Sequence, residues 1–313
     1  MVSPTATSCR NYFFSAVLDG LVVVDKPAGW TSHDVVGRCR KVFGLRRVGH
    51  GGTLDPDATG VLLVGLGRVT RLLRFVSDLP KSYTGEIVLG VATSTLDASG
   101  EVTGRWDMSG VTLEAARAAA RRLTGTIAQV PPMVSALHVG GRRLHQLARA
   151  GIEVERPART VTVSRFSLDP APGPGRSPVF TIRVDCSSGT YVRSLAADLG
   201  TALGGGSHLR HLRRVAVGSF VVTDAVPLER ISVTDVRAPR AALSGMAAVP
   251  VDDRLAAVVA HGRVLGRTEL GVEGDGPWAV IDGAGDLLAV YETHGDGRVK
   301  PAVVLTSASG PDQ

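Results

Sequence analysis

The residue that most invites a chemical reading is Asp55, in the stretch VGHGGTLDPDATGVLL at 48–63. A carboxylate can serve as nucleophile or general base when a rigid frame holds it against a ligand. The neighbours supply such a frame. Glycines let backbone approach a ligand closely, and Pro56 fixes the chain just beyond the carboxylate. The apolar run GVLLVGLG predicts a strand that mounts the loop rigidly. An Asp-Pro pair also favours plain chain reversal, and Asp57 is a rival two residues on. Spacing alone does not choose between them. His50 is either a base or a cap on backbone groups.

Two further clusters carry chemistry. CSSGTYVRSLAADLG (186–200) predicts a turn entering a helix, with Ser187, Ser188 or Thr190 as caps and Tyr191 and Arg193 in or near the first turn. An arginine there faces the positive end of the helix dipole, so a carboxylate or phosphate beside it is expected. In KSYTG, Tyr83 sits in an alternating strand, where a ring packs in the core or stacks on a base. Other chemistries lack their signatures. There is no GxxxxGK[ST] loop, HExxH helix, GxSxG elbow or HxE with a later PCxxC, and GLGRVTR is only a fragment of a dinucleotide fingerprint. No metal and no cofactor is expected. Cys9, Cys39 and Cys186 are widely separated and form no CxxC pair, which fits a reducing compartment and a cytoplasmic location.

These clusters need a scaffold. LVVVD (21–25) predicts a buried strand, and Thr31 or Ser32 caps a basic helix through VVGRCRKVF. GVLLVGLG and KSYTGEIVLGVAT predict strands, RVTRLLRFV a short helix, and TLEAARAAARRLTG a Thr-capped helix. RTVTVSRFSL and VFTIRVDC predict strands joined by a Pro/Gly hairpin loop, and HLRRVAVGSFVV turns from loop to strand. QVPPMVSALHVGGRRLHQLARAG begins as loop, with Pro131, Pro132 and the glycines at 140–141, and ends as a basic helix. Strands interspersed with helices favour an α+β class over regular βαβ alternation.

The 313 residues suggest about two domains. Charge reverses along the chain: residues 1–249 carry 30 Lys+Arg against 19 Asp+Glu, whereas 250–313 carry 5 against 10. A polyanion is the natural partner of the first part. The reversal near SGMAAVPVDD (244–253) marks a domain junction, after which PWAVIDGAGDLLAVYE and VKPAVVLT predict a small β-module. The expected organisation is an extension at 1–20 that is not a signal peptide, a main domain at 21–245 and a C-terminal β-domain at 250–309. No stretch approaches the roughly 18 apolar residues of a membrane helix, so no membrane partner is expected.

Taken together, the motifs resemble the bacterial tRNA pseudouridine-55 synthases, the TruB type. VVVDKPAGWTSHDVV, RRVGHGGTLDPDATGVL, KSY, QVPPMVSALHVGGRR, CSSGTYVRSLAADLG and HLRRVAVGSF fall in the family's order across about residues 21–225. The resemblance implies a pseudouridine synthase fold: a mixed, mainly antiparallel central sheet flanked by helices and loops, followed by a PUA-like β-module. It implies that the nucleophile, in its Leu-Asp-Pro context, is Asp55 rather than Asp57, with Arg193 as its partner and Tyr83 as the stacking ring. His50, Tyr191 and Leu212 then belong to the substrate site, and Lys26 matches a lysine of the first motif with a structural part. Arg213 and Arg214, the basic helix (38–47) and the segment 140–151 are expected to meet phosphates. Gly51-Gly52 departs from the family pattern, and the acidic C-terminal module is unlike a PUA module that grips RNA.

The implied reaction isomerises one uridine in the T-loop of tRNA, detaching the base at N1 and rejoining it through C5. A base stacked in a folded loop must be flipped into a pocket. Burial would raise the Asp55 pKa, and Arg193 would oppose that and keep the carboxylate anionic. The enzyme is expected to act as a monomer. The competing expectation is a non-catalytic RNA-folding chaperone with the same basic surface. A nucleoside glycosidase would need a second placed carboxylate.

Overall fold

The computed structural model describes residues 18–135, 138–139, 142–143, 154–172 and 177–305. The segment 140–151, expected to contact phosphates, lies outside the described residues apart from Arg142 and Arg143, and so does most of the N-terminal extension. Nineteen strands and six α-helices form the described chain. In order, β1–β4 are Gly20–Lys26, Val48–His50, Thr59–Leu66 and Lys81–Leu89. β5–β9 are Val91–Thr93, Val102–Arg105, Gly125–Gln129, His138–Val139 and Arg142–Arg143. β10–β14 are Arg159–Ala171, Val179–Cys186, Ser207–Val217, Phe220–Val221 and Val226–Pro227. β15–β19 are Ala248–Pro250, Leu265–Gly266, Trp278–Ile281, Leu287–His294 and Arg298–Val304. The helices are α1 Ser32–Phe43, α2 Leu73–Ser77, α3 Leu113–Arg122, α4 Val192–Ala202, α5 Asp253–Ala260 and α6 Arg267–Leu270.

Ten strands make the central sheet, in the order β14-β1-β3-β12-β4-β11-β10-β7, with β2 beside β3 and β13 beside β12. Only β1/β14 and β3/β12 run parallel in this sheet, so it is mixed and mainly antiparallel, as the family resemblance implies. One apolar cluster packs α3 and α4 on β4, β10 and β11, and another packs α1 on β1 and β3. The expected strands at 21–25 and 60–67 are β1 and β3. β1 is buried almost end to end, consistent with its unbroken apolar run.

A second sheet, β15-β17-β18-β19-β16, holds the C-terminal strands. Its apolar face meets the central sheet: Ala279, Ile281, Leu287 and Val303 share a cluster with Leu21, Val61 and Val69. Helix α5 in this region was not expected from the sequence. Asp252 caps it by accepting from the Leu255 amide at 2.8 Å.

The site lies where the central sheet is least regular. β3 and β12 pair through only Thr59–Arg213 and Gly60–Arg214, and β12 is bulged against β4 on both sides of Arg213–Arg214. Bulges re-aim side chains next to active sites. Gly60 has φ +104°, and a Cβ there would collide with the Arg214 backbone. Only glycine permits this approach of β3 to β12.

Candidate active site

The loop between β2 and β3 carries Asp55 and is held from below by backbone carbonyls that find buried donors. Lys26 ends β1, is fully buried, and donates from Nζ to the carbonyls of Pro27, Trp30 and Pro56 at 2.9, 2.6 and 2.8 Å. Ser32 Oγ accepts from the Leu54 amide at 2.9 Å and lies 3.2 Å from the Leu54 carbonyl. The Gly29 amide donates to the Pro56 carbonyl at 3.0 Å. On the other side the Arg214 guanidinium donates to the carbonyls of Val61, Thr53 and Gly52. The loop's shape is thus fixed by three residues from distant strands and helices. Thr31, one of the two expected caps, starts α1 in a capping box with Asp34, which sets Ser32 against Leu54.

Arg193 enters from α4. Its Nε and Nη2 meet the two carboxylate oxygens of Asp55 at 2.8 and 2.9 Å, a two-point clamp. Nη1 and Nη2 also donate to the carbonyls of Thr95 and Val134, both at 3.0 Å. The Arg193 side chain is 5% exposed and that of Asp55 38%, so the carboxylate keeps one face open while the guanidinium is enclosed. The unfavourable place of Arg193 in the first helical turn is thereby compensated. Burial pushes the Asp55 carboxyl above its ordinary value, Arg193 pulls it back, and Asp97 adds a further upward push.

A cavity of about 260 Å³ opens beside the clamp, lined by Asp55, Arg193, Tyr83, Tyr191, Leu212, Leu54, Lys81 and Val192 among others. Polar side chains, among them Asp55, Lys81, Tyr83, Thr190, Tyr191 and Arg193, share its wall with the apolar Leu54, Val192 and Leu212. A second cavity of about 380 Å³ shares Asp55, Arg193 and Leu212 with it and adds Asp57, Asp97 and His211. Of the residues singled out by sequence, Asp55, Arg193, Tyr83, Tyr191 and Leu212 therefore converge on one cavity. Tyr83 is nearly buried, and that burial pushes its phenol upward. Asp57 is exposed and lines only the second cavity.

His50, Lys26, Arg213 and Arg214 do not line the first cavity. His50 stands edge-on to His33 at 5.6 Å, with a buried Nδ1 that has no hydrogen-bond partner among the described residues. Burial and then His33 lower its pKa. The expectation that Arg214 meets a phosphate needs correction, while the Arg213 side chain is 36% exposed and keeps an open face. Arg214 is 1% exposed and spends its donors on loop carbonyls. Arg213 grips both oxygens of Asp25 at 3.0 and 2.7 Å, and Arg210 holds Glu86 at 2.6 Å. Neighbouring strands supply a carboxylate or carbonyls to each arginine of LRHLRR. Arg38, Arg40, Lys41, Arg46 and Arg47, in and after α1, are all exposed.

Two site residues escaped the sequence analysis. Asp97 lies 3.7 Å from Arg193 Nε, while its other oxygen accepts from Thr95 Oγ1 and from Ser99 N and Oγ. The dense turn chemistry of TSTLDASG was its only signal. Gln129, at the end of β7, accepts from the Tyr191 amide at 2.8 Å and donates to the Tyr191 carbonyl at 3.1 Å. It ties the backbone of the N-cap residue Tyr191 to β7; the side-chain cap expected from Ser187, Ser188 or Thr190 is not made, since the N-cap is Tyr191 and no side chain caps the helix. Among the described residues no group of three or more His, Cys, Asp or Glu is placed to hold a metal ion, and no helix is long and apolar enough to cross a membrane.

Comparison with known proteins gives concordant matches. Residues 40–192 match the family described as TruB family pseudouridylate synthase (N terminal domain), and residues 193–243 match the tRNA pseudouridylate synthase B C-terminal domain. The chain is 44% identical over 304 residues to the tRNA pseudouridine synthase B of Mycobacterium tuberculosis (strain ATCC 25618 / H37Rv), covering 94% of this chain and 98% of that one. It is 47% identical over 294 residues to the protein of the same name from Rhodococcus jostii (strain RHA1), covering 93% and 95%. Among solved structures, a chain of a Cbf5-Nop10-Gar1 complex superposes with a TM-score of 0.68 at 25% identity, covering 92% of this chain and 84% of that one.

Proposed function

Since the chain belongs to the TruB family of pseudouridylate synthases, we propose that it converts uridine-55 in the T-loop of tRNA to pseudouridine, with Asp55 as the essential carboxylate. The observation that carries this reading is the two-point clamp of Asp55 by a buried arginine at the edge of a base-sized cavity. The relatives' name supplies the substrate class.

The uridine is flipped out of its loop into the cavity, at an unstacking cost of about a few kcal/mol. A ring face on Tyr83 and phosphate contacts offset that cost. The exposed Arg38 and Lys41 of α1 line a surface groove with Gly29 and Trp30, and the Gly29 amide bonds to Pro56 of the catalytic loop. Such contacts position RNA and read little sequence, so the shape of the T-loop selects the target. His50, on the strand that leads into the loop, fills the space the flipped base leaves.

Asp55 acts in its ionised form. Arg193 keeps it anionic against desolvation and sets the direction of its free lone pairs. The glycosidic bond to N1 breaks, the uracil turns, C5 joins C1′, and the C5 proton is lost, with Tyr83 at hand for that last step. Attack at C1′, attack at C6 and removal of a ribose proton all require the same anionic oxygen. The unit spanning 21–245 performs the chemistry, and the described part of 250–309, through residue 305, belongs to a PUA-like β-domain.

Mapping pseudouridine along tRNA after incubation with the full chain tests the proposal. Product at position 55, absent from a tRNA whose T-loop is unfolded, is expected. Tight tRNA binding without pseudouridine at any position overturns the proposal and leaves an RNA-folding chaperone.

A further inference from the structure

Two cationic side chains line the base-sized cavity, Arg193 and Lys81. The charge of Arg193 is committed to Asp55. Lys81 is not paired in this way. It opens β4, is 7% exposed, and donates from Nζ to the carbonyls of Ser77 and Leu79 at 2.6 and 2.7 Å. An ammonium has three donors, so one is left over. No carboxylate forms an ion pair with Lys81 among the described residues.

Its position relative to the expected base is fixed by strand geometry. Residues two apart on a strand share a face, so Lys81 stands on the same side of β4 as Tyr83, roughly 6 to 7 Å along the strand. It also lies under the catalytic loop: a Cβ built on Gly52 would be 3.9 Å from Lys81 Cε.

The chemistry asks for a cation here. When the bond from C1′ to N1 breaks, its electron pair leaves with the uracil, and the charge spreads over N1, O2 and O4. Attack at C6 instead puts the charge on the O4 enolate. All three routes pass through an anionic uracil, and donors fixed in advance are the efficient way to hold it. We propose that Lys81 is a catalytic residue that stabilises the negative charge on the uracil ring through its third N–H while the base is detached. The proposal rests on the pseudouridine synthase reading. No proton is transferred to or from Lys81. The pair released to the ring returns to C1′ as the C5 bond forms, the C5 proton passes to solvent, N1 takes up one proton from solvent, and the ammonium is unchanged.

A purely structural Lys81 would only tie the end of α2 to β4. The two roles differ in how rate depends on pH. The test uses the full chain as wild type, Lys81→Met and Lys81→Arg, with single-turnover pseudouridine formation on a T-arm RNA and separate measurement of its affinity. Loss of one fixed donor lowers the rate about 100-fold or more, so Lys81→Met should fall by that much while affinity stays within about threefold. Lys81→Arg should keep most of the rate. Desolvation, with Arg214 adding to it and Cys186 and Asp78 opposing, lowers the Lys81 ammonium to about 8, so the wild-type rate should decline on the alkaline side near that pH. The decline should become shallower in Lys81→Arg, because a guanidinium stays protonated and, of the two lysines, only Lys26, also lowered to about 8 beneath the catalytic loop, still titrates there. A Lys81→Met rate within about threefold of wild type, or alkaline limbs of the same position and steepness in wild type and Lys81→Arg, overturns the proposal. If Lys81→Met does not fold, the pH profiles of the other two proteins decide. Failure of the underlying reading has a different signature, since the wild type itself would then make no pseudouridine.

Discussion

Replacing Arg193 by lysine keeps a positive charge beside Asp55 and removes the planar fork. The wild-type guanidinium meets the two carboxylate oxygens at 2.8 and 2.9 Å and two carbonyls at 3.0 Å. One ammonium cannot hold both oxygens in that arrangement. The change therefore forfeits about one charge-assisted hydrogen bond, worth about 1.5–3 kcal/mol. Asp55 is 38% exposed, so water recovers part of that loss, and the lower half of the range applies, about 1.5–2 kcal/mol. If the clamp acts by orienting Asp55, the single-turnover rate should drop about 10- to 30-fold. Arg193→Ala loses both contacts and should cost about 100- to 1000-fold. The assay is pseudouridine formation from saturating T-arm RNA in one turnover, with affinity and thermal unfolding measured beside it. Turnover by Arg193→Lys at the wild-type rate would refute the need for two-point contact. A loss confined to affinity would make Arg193 an RNA contact rather than the orienting partner of Asp55.

Burial raises the Asp55 carboxyl, and catalysis needs its ionised form, so activity should fall with decreasing pH at values above those of an ordinary aspartate. Arg193 is the main influence opposing that rise, so Arg193→Ala should move the acid limb further up, and a limb that stays in place would contradict the coupling. Lys26→Met strands three carbonyls under the catalytic loop and should cost at least about 3 kcal/mol, read as a lower denaturation midpoint. Gly60→Ala places a Cβ against the Arg214 backbone at a φ that only glycine tolerates, for about 3 kcal/mol or more; unchanged stability would show that β3 and β12 can separate. Neutralising Arg38 and Lys41 together should weaken tRNA binding about equally for all sequences and flatten its salt dependence by about two units of slope.

The elements were legible where the chain pattern is local. Alternation and apolar runs located β1, β3, β4, β10 and β11, and Thr31 announced the start of α1. Asp55 and Asp57 could not be told apart by spacing, because the difference is made by Arg193, 138 residues away in sequence. The resemblance to a known family supplied that choice. Tertiary partners explain what was missed. The N-cap residue of α4, Tyr191, is held by a glutamine 62 residues before it, and Asp97 reaches Arg193 from a turn whose polar residues look like ordinary loop. The arginines of LRHLRR looked like an RNA surface because their partners, Asp25, Glu86 and the carbonyls of the catalytic loop, lie on other strands.

The most direct test exchanges one atom group at Asp55. With Asp55→Asn the shape of the site is kept and the anionic oxygen is lost. The variant should bind tRNA as tightly as wild type and release no tritium from 5-tritiated uridine in the T-loop, with no pseudouridine at position 55 even at long times. Tritium release by Asp55→Asn at the wild-type rate would contradict the central claim that this carboxylate performs the isomerisation.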